Sequence, residues 1–188
     1  MESLKPLEDL TVHDTRNLYF FVTEEAGRAR RLTLEQVHEE VSAIVLREAV
    51  PDDIRSHFAQ AQNLAVYSWF HYPFNVTSQF MGFVSVELAL KRRLGKKGAF
   101  KKLIRLAVEK KLIRDEGFAI AQHREPSGRS YVVTLIDVMP SLRNELAHGS
   151  PMLHNNALAS LRICADFINQ LFEQPDFVRD QSEKSTEA

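Results

Sequence analysis

Residues 141–150 read SLRNELAHGS. Arg143, Asn144 and His148 stand close together there, interleaved with Leu142, Leu146 and Ala147. These three side-chain types suit phosphate chemistry. A guanidinium offers multidentate, charge-assisted hydrogen bonds to the oxygens of a phosphorane. An imidazole takes up and returns a proton near neutral pH without a perturbed environment. A carboxamide can orient the phosphate or the imidazole. RNA brings its own nucleophile, the 2′-hydroxyl, so Arg143, Asn144 and His148 form a candidate catalytic set that calls for no cofactor and no metal. Arg143 and His148 are five residues apart, about 500° around an ideal helix and so about 140° past a full turn. They do not share one stripe of a straight helix; a frayed helix end or a second copy of the motif must bring them together. The plainer reading is a helix terminus, where a histidine suits the dipole and Arg143 with Asn144 ties helices together.

A phosphate ligand needs a cationic surface. Residues 91–114, KRRLGKKGAFKKLIRLAVEKKLIR, hold eleven of the 24 Lys and Arg against one acid, Glu109, a local charge of +10 in a chain of net charge −1. Lys96, Lys97, Lys101, Lys102 and Arg105 are the candidate RNA contacts, because such a block can hold a phosphate backbone. A solvated helix face is the competing reading. Glu87 is a candidate supporting residue. It falls three after Val84 and four after Phe83, on the apolar side of a predicted helix, where a carboxylate needs a partner. Arg143 is the candidate partner; exposure at the rim is the alternative. His38, His57, His71, His123 and His154 show no paired metal-ligand spacing. Cys164, the single cysteine, reads as a small buried filler, with no disulfide and no thiolate metal site.

The elements that must carry these groups read as helices. Thr33 with Gln36 fits a capping box, opening a helix striped by Leu34, Val37, Val41, Ile44 and Val45 that Pro51 ends. A second helix runs from Pro51 to about Tyr72, with Ile54, Phe58, Ala61, Ala65 and Tyr72 on one face. Its end, YSWFHY, is aromatic almost all round, more than a bundle of this size needs to bury, and predicts a two-fold homodimer. A third, capped by Asn75 or Thr77, reaches Leu94 with Gly95 as its stop, and is striped by Val76, Phe80, Phe83, Val84, Glu87 and Leu94. A fourth, basic helix spans residues 100–113. Residues 115–130 read as a loop with a turn at Pro126-Ser127-Gly128. Tyr131, Leu135, Val138, Leu142 and Leu146 recur at helical spacing, and Pro140 among them predicts a kink or a break with a restart. Gly149 and Pro151 close that helix, and a last one spans about residues 155–172. The sum is an all-α, up-and-down bundle of five or six helices over residues 32–174. Residues 1–31 form an N-terminal arm without helical periodicity, and residues 175–188 a polar tail expected to be disordered.

An Arg, a polar residue, three more residues and a His, at the end of a late helix in a small bundle, resembles the HEPN domain family. RNELAHG and the apolar helix ending in FINQLFEQP are similar to that family. The resemblance covers roughly residues 33–173, is strongest over 131–173 and leaves out the first thirty residues. It implies a bundle of four or five helices that often pairs as a dimer. In catalytic members the Arg and His motifs of two protomers face each other across a cleft and act as a metal-independent endoribonuclease; many other members are binding or assembly units. By position, Arg143, Asn144 and His148 match the motif. One toxin branch carries Tyr two residues after the His; this chain has Ser150, so the tyrosine-dependent regulation of that branch is not expected here.

Hydrophobic content of 44%, charged content of 26% and only 7 Gly and 7 Pro in 188 residues describe a soluble domain able to bury a real core. The start, MESLKPLEDL, has no apolar run and no basic lead; no membrane segment is expected, and a cytoplasmic protein is. Three function classes stand. The first is a HEPN-like domain binding RNA, with or without endoribonuclease activity of a toxin or defence type, and with an antitoxin-like partner protein. The second is a non-catalytic dimeric helical module that assembles with a partner protein. The third is a small-ligand binder using the aromatic cluster near Trp69. The basic block separates the first two: RNA binding uses it, the module does not require it.

Overall fold

The computed structural model describes residues 2–23, 29–122 and 130–173; His123, the expected turn at 126–128 and the tail 175–188 lie outside the described residues. Among these the chain is an all-α bundle of seven helices: α1 (Leu34–Ser42), α2 (Asp52–Tyr67), α3 (Phe74–Leu94), α4 (Phe100–Glu109), the short α5 (Ala119–Gln122), α6 (Tyr131–Ala147) and α7 (Ala157–Leu171). A small antiparallel hairpin, β1 (Phe21–Thr23) with β2 (Ala29–Arg31), precedes them and pairs Phe21 with Arg31. No helix among the described residues is long and apolar enough to cross a membrane.

α1 opens on the expected capping box: the Thr33 hydroxyl accepts from Gln36 N–H, and Gln36 Oε1 accepts from Thr33 N–H. It ends at Ser42, well short of Pro51. The Gln62 amide on α2 donates to the carbonyls of Val41 and Ile44 at 3.1 and 2.9 Å and so occupies acceptors at the helix end. Val45, expected on the buried stripe, lies beyond the helix and is 65% exposed.

α2 stops at Tyr67 rather than Tyr72, and the N-terminal arm supplies the reason. The buried Asn17 side chain donates to the carbonyls of Ser68 and Trp69, which a longer helix would have used itself. Asp14 N–H donates to Trp69 O and Lys5 Nζ to Phe70 O. Phe20 stacks on Tyr72, and the Arg16 guanidinium lies 4.9 Å from the centre of the Tyr72 ring. The aromatic run that predicted a homodimer is therefore largely covered from within the chain; Tyr67 stays mostly exposed.

α3 is the central helix and touches α2, α4, α6 and α7. It is buried on several sides, so a single apolar stripe does not describe it. Ser78, Gln79, Gly82, Ser85, Val86, Ala89 and Leu90 are buried, while Val76, Phe80, Val84 and Leu94 are only half-buried. Two of the polar members find partners on neighbouring helices: Ser78 Oγ donates to Ala61 O and Gln79 Nε2 to Ser160 Oγ, while Gln79 Oε1 is buried without one. A Cβ on Gly82 would stand 3.1 Å from Leu161 Cδ2, so glycine allows the close approach of α7. Neither Asn75 nor Thr77 caps α3; Pro73 precedes it and the Asn75 amide donates to Tyr72 O instead. Gly95, at φ 61°, ends it as expected.

α4 closes at Glu109, four residues before the expected end. Lys111 takes a left-handed conformation at φ 56°, with Leu112 N–H reaching back to Ala107 O, a helix stop built without glycine. α6 runs through Pro140 with no break or restart; the missing N–H leaves the Ile136 carbonyl without its usual helical donor.

Candidate functional site

Two anchors place α6 and its motif. At its start, Asp115 in the turn after α4 accepts from the Ser130 hydroxyl and from the N–H groups of Tyr131 and Val132, at 2.9, 3.0 and 2.9 Å. Burial works against the Asp115 charge, but these hydrogen bonds together hold its carboxyl below the usual range. A carboxylate on the first-turn amides also suits the helix dipole. Near its end, Arg143 Nη2 meets Glu87 Oε2 of α3 at 2.5 Å. Leu135 and Met139 are buried between the two anchors, while Val138 and Leu142, expected inward, are 43% and 37% exposed.

The Arg143 environment is built from three helices. Glu87, only 15% exposed in its side chain, also holds Lys91 Nζ at 2.7 Å, so one carboxylate serves two cations. Arg143 Nη1 donates to Asn144 Oδ1 at 2.8 Å. The guanidinium carbon lies 5.4 Å from the centre of the buried Phe100 ring at the start of α4. Arg143 Nε is buried with no hydrogen-bond partner. Beside the guanidinium a cleft of about 500 Å³ opens between α4 and α6, lined among others by Phe100, Lys101, Asp137, Ser141, Arg143 and Asn144.

The sequence-predicted residues fall into three groups. Arg143, Asn144 and Lys101 line this cleft, and Glu87 joins them through its ion pair with Arg143. Lys96 and Lys97 are exposed in the α3–α4 connection, and Lys102 and Arg105 are exposed on α4. His148 stands apart: it is the exposed C-cap residue of α6, its N–H donates to Asn144 O, and Gly149 beyond it takes φ 85°. Among the described residues its imidazole meets no hydrogen-bond partner within the chain, so Arg143 and His148 share a helix end without touching.

Three members of the cluster went unforeseen. Lys91 lies four residues after Glu87 on the same helix, a spacing that marks an ion pair. Phe100 reads only as core. Asp137, whose carboxylate meets Lys101 Nζ at 2.7 Å, has no signal in sequence, because the pair joins two helices through a long connection. No cluster of three or more His, Cys, Asp or Glu able to hold a metal occurs among the described residues.

Elsewhere, burial pushes the Cys164 thiol far up, as suits an inert core filler. Near Trp69 the arm packs His13 6.0 Å from the indole and donates to the Trp69 carbonyl from Asn17 and Asp14. A groove of about 660 Å³ lies beside it between α1 and α2, lined in part by His38, Gln62 and Tyr67. Comparison with protein-family models, with curated proteins and with solved structures finds no match to this chain.

Proposed function

We propose that this domain binds RNA along the basic α3–α4 edge and cleaves it at the end of α6, with His148 as the proton-transfer group. One observation carries the reading: Lys101 of the basic block and Arg143 and Asn144 of the SLRNELAHGS motif line one cleft. Lys91 shares Glu87 with Arg143, and Lys101 on α4 faces Arg143 and Asn144 on α6 across the cleft. A phosphate seated there meets fixed positive charge, and the exposed His148 imidazole stands at the C-cap of the same helix. In the reaction the 2′-oxygen attacks phosphorus, the bond from phosphorus to the 5′-oxygen breaks, and His148 accepts the 2′-hydroxyl proton or donates to the leaving 5′-oxygen. In the paired arrangement that the HEPN resemblance implies, a second copy supplies the other imidazole. An antitoxin-like partner belongs to the same proposal.

The rival reading, a non-enzymatic helical module, has its own support. The Arg143 guanidinium is already engaged by Glu87 and Asn144, as a purely structural arginine would be. A labelled single-stranded RNA panel separates the two, run with and without EDTA. His148→Ala is expected to lower cleavage by about 10²–10⁴, to leave the melting temperature unchanged because the side chain is exposed, and wild-type cleavage is expected to persist in EDTA. No cleavage by wild type anywhere on the panel leaves the module as the better reading. Light scattering tests the pairing.

A further inference from the structure

The α4–α6 cleft contains one acidic lining residue, Asp137, among Lys101, Arg143 and Asn144. Its carboxylate sits 2.7 Å from Lys101 Nζ across the cleft mouth. Both side chains are more than half exposed, at 69% and 52%, so the contact is not a packing requirement of the core. Lys101 is also the basic-block residue that lines the same cleft as Arg143. The guanidinium is tied back by Glu87, which leaves the ammonium as the movable cation at this point. A carboxylate and a phosphate present the same kind of oxygen to an ammonium, and an exposed ion pair is weak enough to exchange.

We propose that Asp137 is a built-in stand-in for an RNA phosphate: it parks Lys101 at the cleft mouth, and a backbone phosphate of bound RNA takes its place. This rests on the RNA-binding reading above. The contact acts as an autoinhibitory one, because RNA must displace Asp137 and then sits near its charge. The device discriminates against isolated anions, which gain one ammonium and meet one carboxylate, and favours a polyanion that gains the rest of the basic edge as well.

The test is fluorescence anisotropy with a labelled single-stranded RNA of about fifteen nucleotides, on the full chain at low and at moderate salt. Asp137→Asn keeps the shape and removes the charge. It is expected to tighten binding about five- to tenfold at low salt, and less as salt screens the contact. Glu48→Gln, an exposed charge change in the α1–α2 connection, controls for net charge and is expected to change affinity less than about twofold. Lys101→Ala in the Asp137→Asn background should erase most of the gain. Melting curves of Asp137→Asn should match wild type. Wild type that binds RNA, with Asp137→Asn binding no tighter than Glu48→Gln, overturns the inference and spares the RNA-binding reading. Absence of binding by both wild type and Asp137→Asn overturns both.

Discussion

Two arginines in this molecule are held by nearly the same set of groups, and they are held differently. In the arm, Asp14 grips Arg16 with both oxygens, Oδ1 to Nε at 2.9 Å and Oδ2 to Nη2 at 2.7 Å, while Glu2 takes Nη1 at 2.5 Å and Tyr72 lies under the plane. Every edge of that guanidinium is used. On α6, Glu87 takes only Nη2 of Arg143, Asn144 takes Nη1, Phe100 lies under the plane, and Nε is buried without a partner. Arg16 is saturated and pins the arm to the aromatic corner. Arg143 is less completely satisfied, although it is the more enclosed side chain, at 23% exposed against 36%. A saturated arginine is glue. Arg143, beside a cleft lined also by Asn144 and Lys101, keeps one buried N–H without an acceptor.

The largest expected effect breaks the Arg143 side of this comparison. Glu87→Ala leaves an enclosed guanidinium without its main counter-charge on the central helix, and is expected to cost about 2–3 kcal/mol. In a chain of this size that is a fall of about 4–12 °C in melting temperature. Glu87→Gln should recover part of the loss through a neutral hydrogen bond. Thermal unfolding by circular dichroism checks both, and a loss below about 0.5 kcal/mol would make the pair a surface contact.

Asp14→Asn is the matching cut in the arm. Asp14 accepts from Arg16 and from Tyr72 N–H, but the arm is a peripheral unit, so its release is local. The expected outcome is faster proteolysis and faster amide exchange over residues 2–20, with the bundle's melting temperature shifted by less than in Glu87→Ala.

A pH change should undo the arm in the same way. The Arg16 guanidinium beside Asp14 holds its carboxyl well below the usual carboxylate range. A depressed folded value means that the stabilisation is present above the unfolded carboxylate value of about 4 and is lost as pH falls through the folded value. Trp69, the single tryptophan, packs 6.0 Å from His13 of the arm. Its fluorescence should stay level between pH 5 and about 4 and change below that. In Asp14→Asn this acid transition should be missing.

What could be read from sequence divides along the same line as the two arginines. Signals carried by neighbours in the chain held: the Thr33–Gln36 box, the Gly95 and Gly149 stops, and the helical spacing of α6 through a β-rich stretch. The Glu87–Arg143 pair was also foreseeable, because a carboxylate on an apolar face demands a cation. Signals that depend on distant chain failed. Asn17 and Gln62 shorten helices by taking carbonyls, Asp115 caps α6 from the turn after α4, and Lys101 meets Asp137 across a long connection; none has a local signature. α3 follows no single apolar stripe because a helix packed on several sides needs small residues wherever a neighbour comes close. Lys111 stopped α4 in a conformation usually left to glycine. The aromatic run is partly covered by the arm, which has no local signature either, and Tyr67 stays exposed.

The smallest effect is the sharpest check on the comparison. Lys91 also reaches Glu87, four residues along α3 with the acid on the N-terminal side, the favourable order for such a pair. Its side chain is 42% exposed against 23% for Arg143, so solvent screens much of its charge. Lys91→Ala is expected to cost about 0.3–0.5 kcal/mol and to fade with added salt, while Arg143→Ala should cost several times more and depend less on salt. The coupling can be isolated by a double-mutant cycle. If Glu87 is shared as described, removing Arg143 should raise the cost of removing Lys91, because the carboxylate then leans on its remaining partner. A Lys91→Ala loss as large as that of Arg143→Ala would make Lys91 the principal partner of Glu87. The guanidinium would then be held no more firmly than a surface charge, and the contrast with Arg16 would be one of exposure rather than of unmet hydrogen bonds.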